Sequence, residues 1–149
     1  MHYSVRKFHI SHFDTFNVRD VQKPELKFLK ENPKFQEQWE RTAPMFTLFY
    51  KEEPVLIYGM LNSGLGTYYP MAFASKGLDK HKFAVVRCLY DYIEKFVGDD
   101  LRRLEADVAV NDKTAQKFIE FFGFEPIGIK RQSTVDGRDQ IIYERLGRK

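Results

Sequence analysis

The segment VAVNDKTAQKFIEFFGF, residues 108–124, constrains the fold more than any other part of this chain. Four apolar residues around its start alternate with other residues, which predicts a strand: Leu104, Ala106, Val108 and Val110. Four residues then recur at helical spacing, with the pair Gly123-Phe124 after them: Ala115, Phe118, Ile119 and Phe122. The segment therefore predicts a strand that runs directly into a helix closed by Gly-Phe.

The rest of the sequence predicts strands and helices in a definite order. Strands are expected at Tyr3–His9, Met45–Tyr50, Val55–Leu61, Thr67–Ala74 and Gln140–Leu146. Two short helices are expected after Pro24, the second restarting at Pro33. A longer amphipathic helix is indicated by apolar residues at helical spacing: Phe83, Val86, Leu89, Tyr90, Ile93, Phe96 and Val97. The dipeptide Asp136-Gly137 predicts a tight hairpin before the last strand.

Composition limits the class of protein. A chain of 149 residues with 43% hydrophobic and 30% charged residues is typical of one globular domain, which we expect to span residues 1–149. The single cysteine, Cys88, excludes an intramolecular disulfide and lies in an apolar helical pattern, where a buried inert thiol is expected. No apolar run approaches the roughly 20 residues of a membrane span, and no signal peptide is evident. We therefore expect a soluble, intracellular protein.

The order of strand, two helices, three strands, helix, strand, helix and two strands resembles that of the GNAT superfamily of N-acetyltransferases. The Gly-Phe pair after the late helix also resembles that family. The resemblance covers nearly the whole chain. It implies an α+β fold of the acyl-CoA N-acyltransferase type, with a mixed, mostly antiparallel sheet of six to seven strands and about four helices. It also implies that acetyl-CoA is the candidate cofactor, held between the fourth and fifth strands with its pyrophosphate at the start of the next helix.

The chain departs from the family's cofactor motif. The family's Q/RxxGxG/A loop corresponds to SKGLDKHKFAVV, in which Asp79, Lys82 and Ala84 take the motif positions and only Ala84 matches. The family's cofactor-binding Asn falls on Asp112, and Asn111 lies one residue early, where it is also a candidate helix cap. The resemblance gives six candidate cofactor-binding residues: Lys80, His81, Lys82, Phe83, Ala84 and Asn111.

Candidate catalytic residues are few. The Tyr that serves as general acid in the family falls on Ile119, which has no proton to give. Glu105 and Asp107 are the candidate general bases, because they share one face of the fifth predicted strand, although a polar solvent-facing side explains them equally. Tyr68 and Tyr69 are candidate acids or packing rings. His9 and His12 lack a third ligand nearby, so no metal site is expected.

The basic run Lys80, Lys82, Phe83 also resembles the degenerate GNAT-like internal virion proteins of short-tailed phages. That resemblance implies a structural or interaction protein of the host cytoplasm or the virion, with other virion proteins as partners. The motif departures favour this function; the alternative is an acyl-CoA-dependent N-acetyltransferase whose primary amine substrate attacks directly. No membrane partner is expected. The basic segments Lys76–Lys82 and Arg145–Lys149 lack interleaved aromatic residues, which argues against a nucleic-acid binder.

Overall fold

A computed structural model describes residues 2–42, 45–96 and 101–147. The strands within these ranges are β1 (Tyr3–Lys7), β2 (Phe46–Tyr50), β3 (Glu53–Asn62), β4 (Thr67–Ala74), β5 (Arg103–Ala109), β6 (Glu125–Lys130) and β7 (Gln140–Leu146). The α-helices are α1 (Lys23–Glu31), α2 (Pro33–Thr42), α3 (Lys82–Phe96) and α4 (Lys113–Phe121). Short 3-10 turns cover Ile10–Thr15, Asp20–Gln22 and Leu78–His81. The predicted order of strands and helices is confirmed; the predicted helical residue Val97 lies outside the described residues.

The seven strands form one mixed sheet in the order β1-β2-β3-β4-β5-β7-β6. Every neighbouring pair is antiparallel except β4 and β5, which are parallel and joined through α3. This agrees with the predicted sheet of six to seven mostly antiparallel strands. The candidate site lies at this parallel pair in the middle of the sheet.

Hydrophobic residues bury both faces of the sheet. On one face, Leu56, Tyr58 and Met60 of β3 belong to the larger of two core clusters. Buried residues of α3 belong to the same cluster, and apolar residues of α4 pack against it. On the other face, Ile57 packs with Leu26 of α1 and with phenylalanines of residues 8–16. Alternation along β3 thus places α3 and α4 on one side of the sheet and α1 on the other.

The exposed face of α3 differs from the prediction. Phe83 and Tyr90, which we expected in the apolar stripe, are 92% and 55% exposed, whereas Val85 and Tyr92 are buried. Other members of the predicted stripe do face the core: Ile93 is buried, and Val86 and Leu89 pack against the larger core cluster. Hydrophobic spacing therefore predicted the middle of the buried stripe but not its edges.

The Gly-Phe pair ends α4 as the sequence predicts. Gly123 has a φ of +88°, a conformation that residues with a side chain rarely adopt. The Phe124 N–H then donates to the Ile119 carbonyl at 3.2 Å, and its ring is buried in the larger core cluster. No helix in the described ranges combines the length and apolar character needed to cross a membrane.

Candidate functional site

The parallel strands β4 and β5 separate soon after they begin. They pair only at Thr67 with Arg103 and at Tyr68 with Leu104. Both strands continue for several residues beyond these pairs. The sheet is therefore split into a V-shaped cleft that widens toward the carboxyl ends of β4 and β5.

Pro70 explains why the pairing stops. The Arg103 N–H donates to the Gly66 carbonyl at 3.1 Å, so the main-chain carbonyl of residue 66 faces β5. Main-chain polar groups alternate sides along a strand, so those of residues 68 and 70 face β5 as well. The next hydrogen bond of the ladder would need an N–H at position 70 to reach the Glu105 carbonyl. Proline has no N–H to donate.

A cavity of about 400 Å³ fills the cleft, within the usual size of a small-molecule site. Its walls include residues 70–74 of β4 and 106–109 of β5, and its body is lined by apolar residues of α3 and α4: Val85, Leu89, Ala115, Phe118 and Ile119. By the same alternation, the Ala72 N–H faces the cleft from β4, and the Glu105 carbonyl and Asp107 N–H face it from β5. The cavity is thus apolar with main-chain polar groups along two edges.

Residues 18–25, which end in the first turn of α1, cross the wide end of the cleft on the face opposite α3 and α4; we call this segment the strap. It begins with a bridge between Val18 and Ser75, just beyond β4. The Arg19 N–H then donates to the Ala74 carbonyl at 3.0 Å. The strap therefore follows the edge of β4 that β5 leaves open.

Gln22 of the strap adds two side-chain bonds to this edge. Its Nε2 donates to the Ala72 carbonyl at 2.8 Å, and its Oε1 accepts the Ala74 N–H at 3.0 Å. The carboxamide thus satisfies two backbone groups of β4 that have no partner strand.

Two ion pairs fasten the strap to the other side of the cleft. The Arg19 guanidinium donates to Asp112, and both side chains are largely buried. Glu25 of α1 accepts from Arg138, 3.1 Å away in the β6–β7 hairpin. Four charged groups on three separate elements therefore close the wide end.

The start of α4 corrects one prediction. Asp112, not Asn111, caps the helix, because its Oδ1 accepts the Ala115 N–H at 3.1 Å. Asn111 instead accepts from Arg138 at 2.9 Å. The two side chains are equally good caps by type, so the sequence could not decide which residue would take the position.

The two candidate bases are both ion-paired. Glu105 accepts from Arg103 at 2.5 Å, and Asp107 accepts from Lys130 of β6 at 2.6 Å. The hydrogen bond to Asp107 is the main reason that the pKa of Lys130 lies above its ordinary value. Asp107 lines the cavity, whereas Glu105 does not.

The candidate cofactor-binding residues of the α3 region do not act as one group. The Lys80 and Lys82 side chains are exposed before and at the start of α3, and neither has an ion-pair partner in residues 2–42, 45–96 or 101–147. His81 turns away from them: its Nδ1 lies 2.7 Å from the Tyr3 hydroxyl, and its ring packs against Tyr50. Phe83 is exposed and Ala84 packs against the larger core cluster.

Among the described residues that line the cavity, none from α4 has an acidic or phenolic side chain. Ile119 lines it where the family resemblance places a tyrosine. Tyr58 and Tyr92 also line it, but burial raises the pKa of both phenols, so they stay protonated and give up a proton reluctantly. The Cys88 thiol donates to the Tyr58 hydroxyl at 3.0 Å, and burial raises its pKa, in line with the inert thiol expected from the sequence.

The remaining candidates lie outside the cavity. Tyr68 packs partly against the core, and Tyr69 is 38% exposed. His12 Nδ1 lies 2.8 Å from the Thr47 hydroxyl. Among the described residues, no three His, Cys, Asp or Glu side chains are grouped to hold a metal ion.

A sheet split between parallel β4 and β5, with helices α3 and α4 bordering the cleft, is the acyl-CoA N-acyltransferase fold of the GNAT type. Solved structures agree over almost the whole chain. An Ard1 protein from Thermoplasma volcanium superposes with a TM-score of 0.76 at 9% identity, covering 100% of both chains. A GNAT-family acetyltransferase from Bacillus anthracis has a TM-score of 0.71 at 18% identity, covering 98% of this chain and 95% of the other.

A third structure is a ribosomal L7/L12 alpha-N-protein acetyltransferase in complex with coenzyme A, with a TM-score of 0.62 at 14% identity, covering 99% of this chain and 95% of the other. At such low identities the likeness establishes the fold, as the sequence predicted. No protein-family model matches the sequence, and the curated proteins contain no sequence match.

The sequence did not single out the residues that close the cleft: Arg19, Gln22, Glu25 and Arg138. Each is a polar residue in an unremarkable local pattern. The only local signal of the cleft was Pro70 inside a predicted strand, which disfavours an interior position in a sheet.

Proposed function

We propose that this chain is an acyl-CoA-dependent N-acyltransferase that transfers an acyl group to a primary amine by direct attack. The observation that carries the proposal is the cleft between β4 and β5, which is apolar and yet edged by main-chain groups that the ladder leaves unpaired. The fold is shared with acetyltransferases, one of them in complex with coenzyme A.

The cleft suits the pantetheine arm of acyl-CoA. That arm is long, narrow and largely apolar, and its two amides can pair with strand edges as another strand would. The Ala72 N–H and the Asp107 N–H are the donors available on the two walls. Lys80 and Lys82 lie near the start of α3, where they would attract the anionic phosphates of the same molecule.

Acyl-CoA would supply an acyl group activated as a thioester. The amine nitrogen forms a bond to the carbonyl carbon, the carbon–sulfur bond breaks, and the sulfur leaves as a thiolate. The proton lost by the amine goes to Asp107, which lines the cavity as a carboxylate paired with Lys130. The Ala72 N–H would donate to the carbonyl oxygen as negative charge develops there.

Ile119 offers no proton to the departing sulfur, so the rate enhancement would come mainly from holding the two reactants together.

Calorimetric titration with acetyl-CoA tests the proposal. Ala72 pairs with Tyr58 across β3 and lines the cavity, so Ala72→Phe should fill the cleft from the α3 side. We expect micromolar binding by the unmodified protein and none by this variant. Leu65→Phe is the matched control, because residue 65 is 78% exposed in the β3–β4 turn. If the folded, unmodified protein does not bind acetyl-CoA at millimolar concentration, the proposed acyltransferase function is wrong.

A non-catalytic interaction protein on the same scaffold is the second candidate. Ile119 at the position of the expected acid favours it. The more specific idea of a phage virion protein gains nothing from the structural comparisons and stays a prediction from the sequence.

A further inference from the structure

The Gln22 side chain covers the open edge of β4 with one donor and one acceptor. A primary carboxamide can present an N–H and its carbonyl oxygen in the same direction, and Gln22 uses both, toward the Ala72 carbonyl and the Ala74 N–H. These two groups face the cleft rather than β3. A side chain thus completes a rung of the sheet that neither β5 nor any other strand completes.

This rung lies on the path of an arm that enters the cleft. The Ala72 N–H faces the cavity and lies closer than Ala74 to the narrow end of the cleft. Beyond the carboxyl end of β4, on the other side of Ala74, the chain continues to Lys80 and Lys82 at the start of α3. A molecule that places its reactive end beside Ala72 and its phosphates beside Lys80 must therefore run past Ala74. It meets the two groups that Gln22 already holds.

The strap can give up Gln22 without leaving the cleft. Arg19 stays attached through its main-chain bond to Ala74 and its ion pair with Asp112, and Glu25 stays attached through Arg138. Rotation of the Gln22 side chain alone frees the rung. The N–H and C=O of a secondary amide point in opposite directions, so both hydrogen bonds are replaced when one amide of the arm supplies its N–H and the other its carbonyl. The exchange then costs little, because no backbone group of β4 loses its partner.

We propose that Gln22 competes with the two amides of an acyl-CoA arm for the open edge of β4. Its side chain closes this edge in the free protein and is displaced on binding. The inference rests on the proposed function. A competing intramolecular contact multiplies the intrinsic affinity by the fraction of molecules in which the edge is free, so the apparent affinity is lower. Removing the competitor should therefore tighten binding.

The test compares coenzyme A affinity and the NMR signals of side-chain amides. Gln22→Ala should bind coenzyme A three- to tenfold more tightly than the unmodified protein. In the unmodified protein, the Gln22 side-chain NH₂ signals, assigned by their loss in Gln22→Ala, should move toward those of a solvent-exposed amide at saturation. Gln36→Ala is the matched control. The buried Gln36 carboxamide of α2 also donates to a main-chain carbonyl, that of Leu29 in α1, but this bond lies away from the cleft.

Each outcome decides between the inference and the function. If the unmodified protein binds, but Gln22→Ala binds equally or more weakly and the Gln22 signals do not move, the inference is wrong and the acyltransferase stands. If only Gln22→Ala binds, both are supported. If neither protein binds coenzyme A while both give folded NMR spectra, the proposed function fails and the inference fails with it.

Discussion

The two edges of β4 show how one strand serves two purposes. Against β3 it forms an unbroken antiparallel ladder from Leu56–Ala74 to Asn62–Tyr68. Against β5 it forms two parallel pairs and then separates. The same eight residues make both edges, and the difference begins at Pro70, which lacks a donor on the β5 side only. One edge is therefore structure, and the other is surface available to a ligand.

The split divides the sheet into two halves. β1 to β4 form one half, and β5, β7 and β6 form the other, with β5 and β7 paired along their full length. At the narrow end the halves are joined by main-chain bonds. At the wide end they are joined by side chains, through Arg19–Asp112 and Glu25–Arg138. Side-chain contacts can be exchanged for a ligand more readily than a ladder can.

The largest effect should follow from breaking the side-chain link at Asp112. Asp112→Ala removes the cap of α4 and leaves the largely buried Arg19 without its carboxylate. Together these losses should lower the free energy of unfolding by about 3 kcal/mol, measured by urea denaturation. Asp79→Ala removes an equal charge from an exposed position and should cost less than about 0.5 kcal/mol. Similar losses in the two variants would show that the link adds nothing to stability.

The elements of both halves were predictable because their signals are local. Alternation at period two and recurrence at helical spacing gave the strands, the helices and their order, and Gly123-Phe124 gave the end of α4. The edges of the buried stripe of α3 were not predictable, since Phe83 and Val85 are both apolar and each fits a stripe of helical spacing. Which stripe faces the sheet is decided by packing between distant segments.

The closure of the cleft could not be predicted from sequence. Gln22 is 52 residues from Ala74, Arg19 is 93 from Asp112, and Glu25 is 113 from Arg138. None of these pairs has a spacing that a helix or a hairpin imposes. They meet only because the sheet brings β4 and β5 together and then parts them.

Restoring the missing donor should turn the open edge back into structure. Pro70→Val supplies an N–H that can bond to the Glu105 carbonyl and extend the parallel ladder by one rung. Acetyl-CoA affinity should then fall at least tenfold, about 1.4 kcal/mol. Slow hydrogen exchange of the amide at position 70 would report the new bond.

Pro126→Val is the control for this substitution, because Pro126 lies in the exposed edge strand β6. Its acetyl-CoA affinity should not change. An exchange-protected amide at position 70 together with undiminished binding would separate the cleft from the ligand site.

A smaller effect concerns the approach of the ligand to the open edge. Replacing both Lys80 and Lys82 by Ala removes two exposed positive charges at the start of α3, and should weaken acetyl-CoA binding a few-fold at low salt and less at high salt. Lys27 and Lys30 of α1 are exposed on the other side of the sheet, so their double Ala variant is a control of equal charge. Equal weakening in both variants would mean that net charge, not the start of α3, attracts the ligand.

The smallest effect uses pH to distinguish the two halves. His12 contacts the fully paired half, where its Nδ1 accepts the His9 N–H at 3.2 Å and lies near Thr47 of β2. Burial, followed by the charges of His9 and Arg6, lowers the pKa of His12 below its ordinary 6.5. The unfolded chain therefore takes up the proton more readily, and the free energy of unfolding falls as the pH drops through 6.5.

This pH effect should be confined to the paired half. His12→Asn keeps a side-chain acceptor without a group that titrates in this range, so its urea midpoint should fall less than that of the unmodified protein between about pH 7.5 and about pH 5.5. None of the described residues that line the cavity is a histidine. The Gln22 side-chain signals should therefore stay in place over the same range. If they shift together with the urea midpoint, the two halves respond as one unit, and the open edge of β4 is not independent of the paired one.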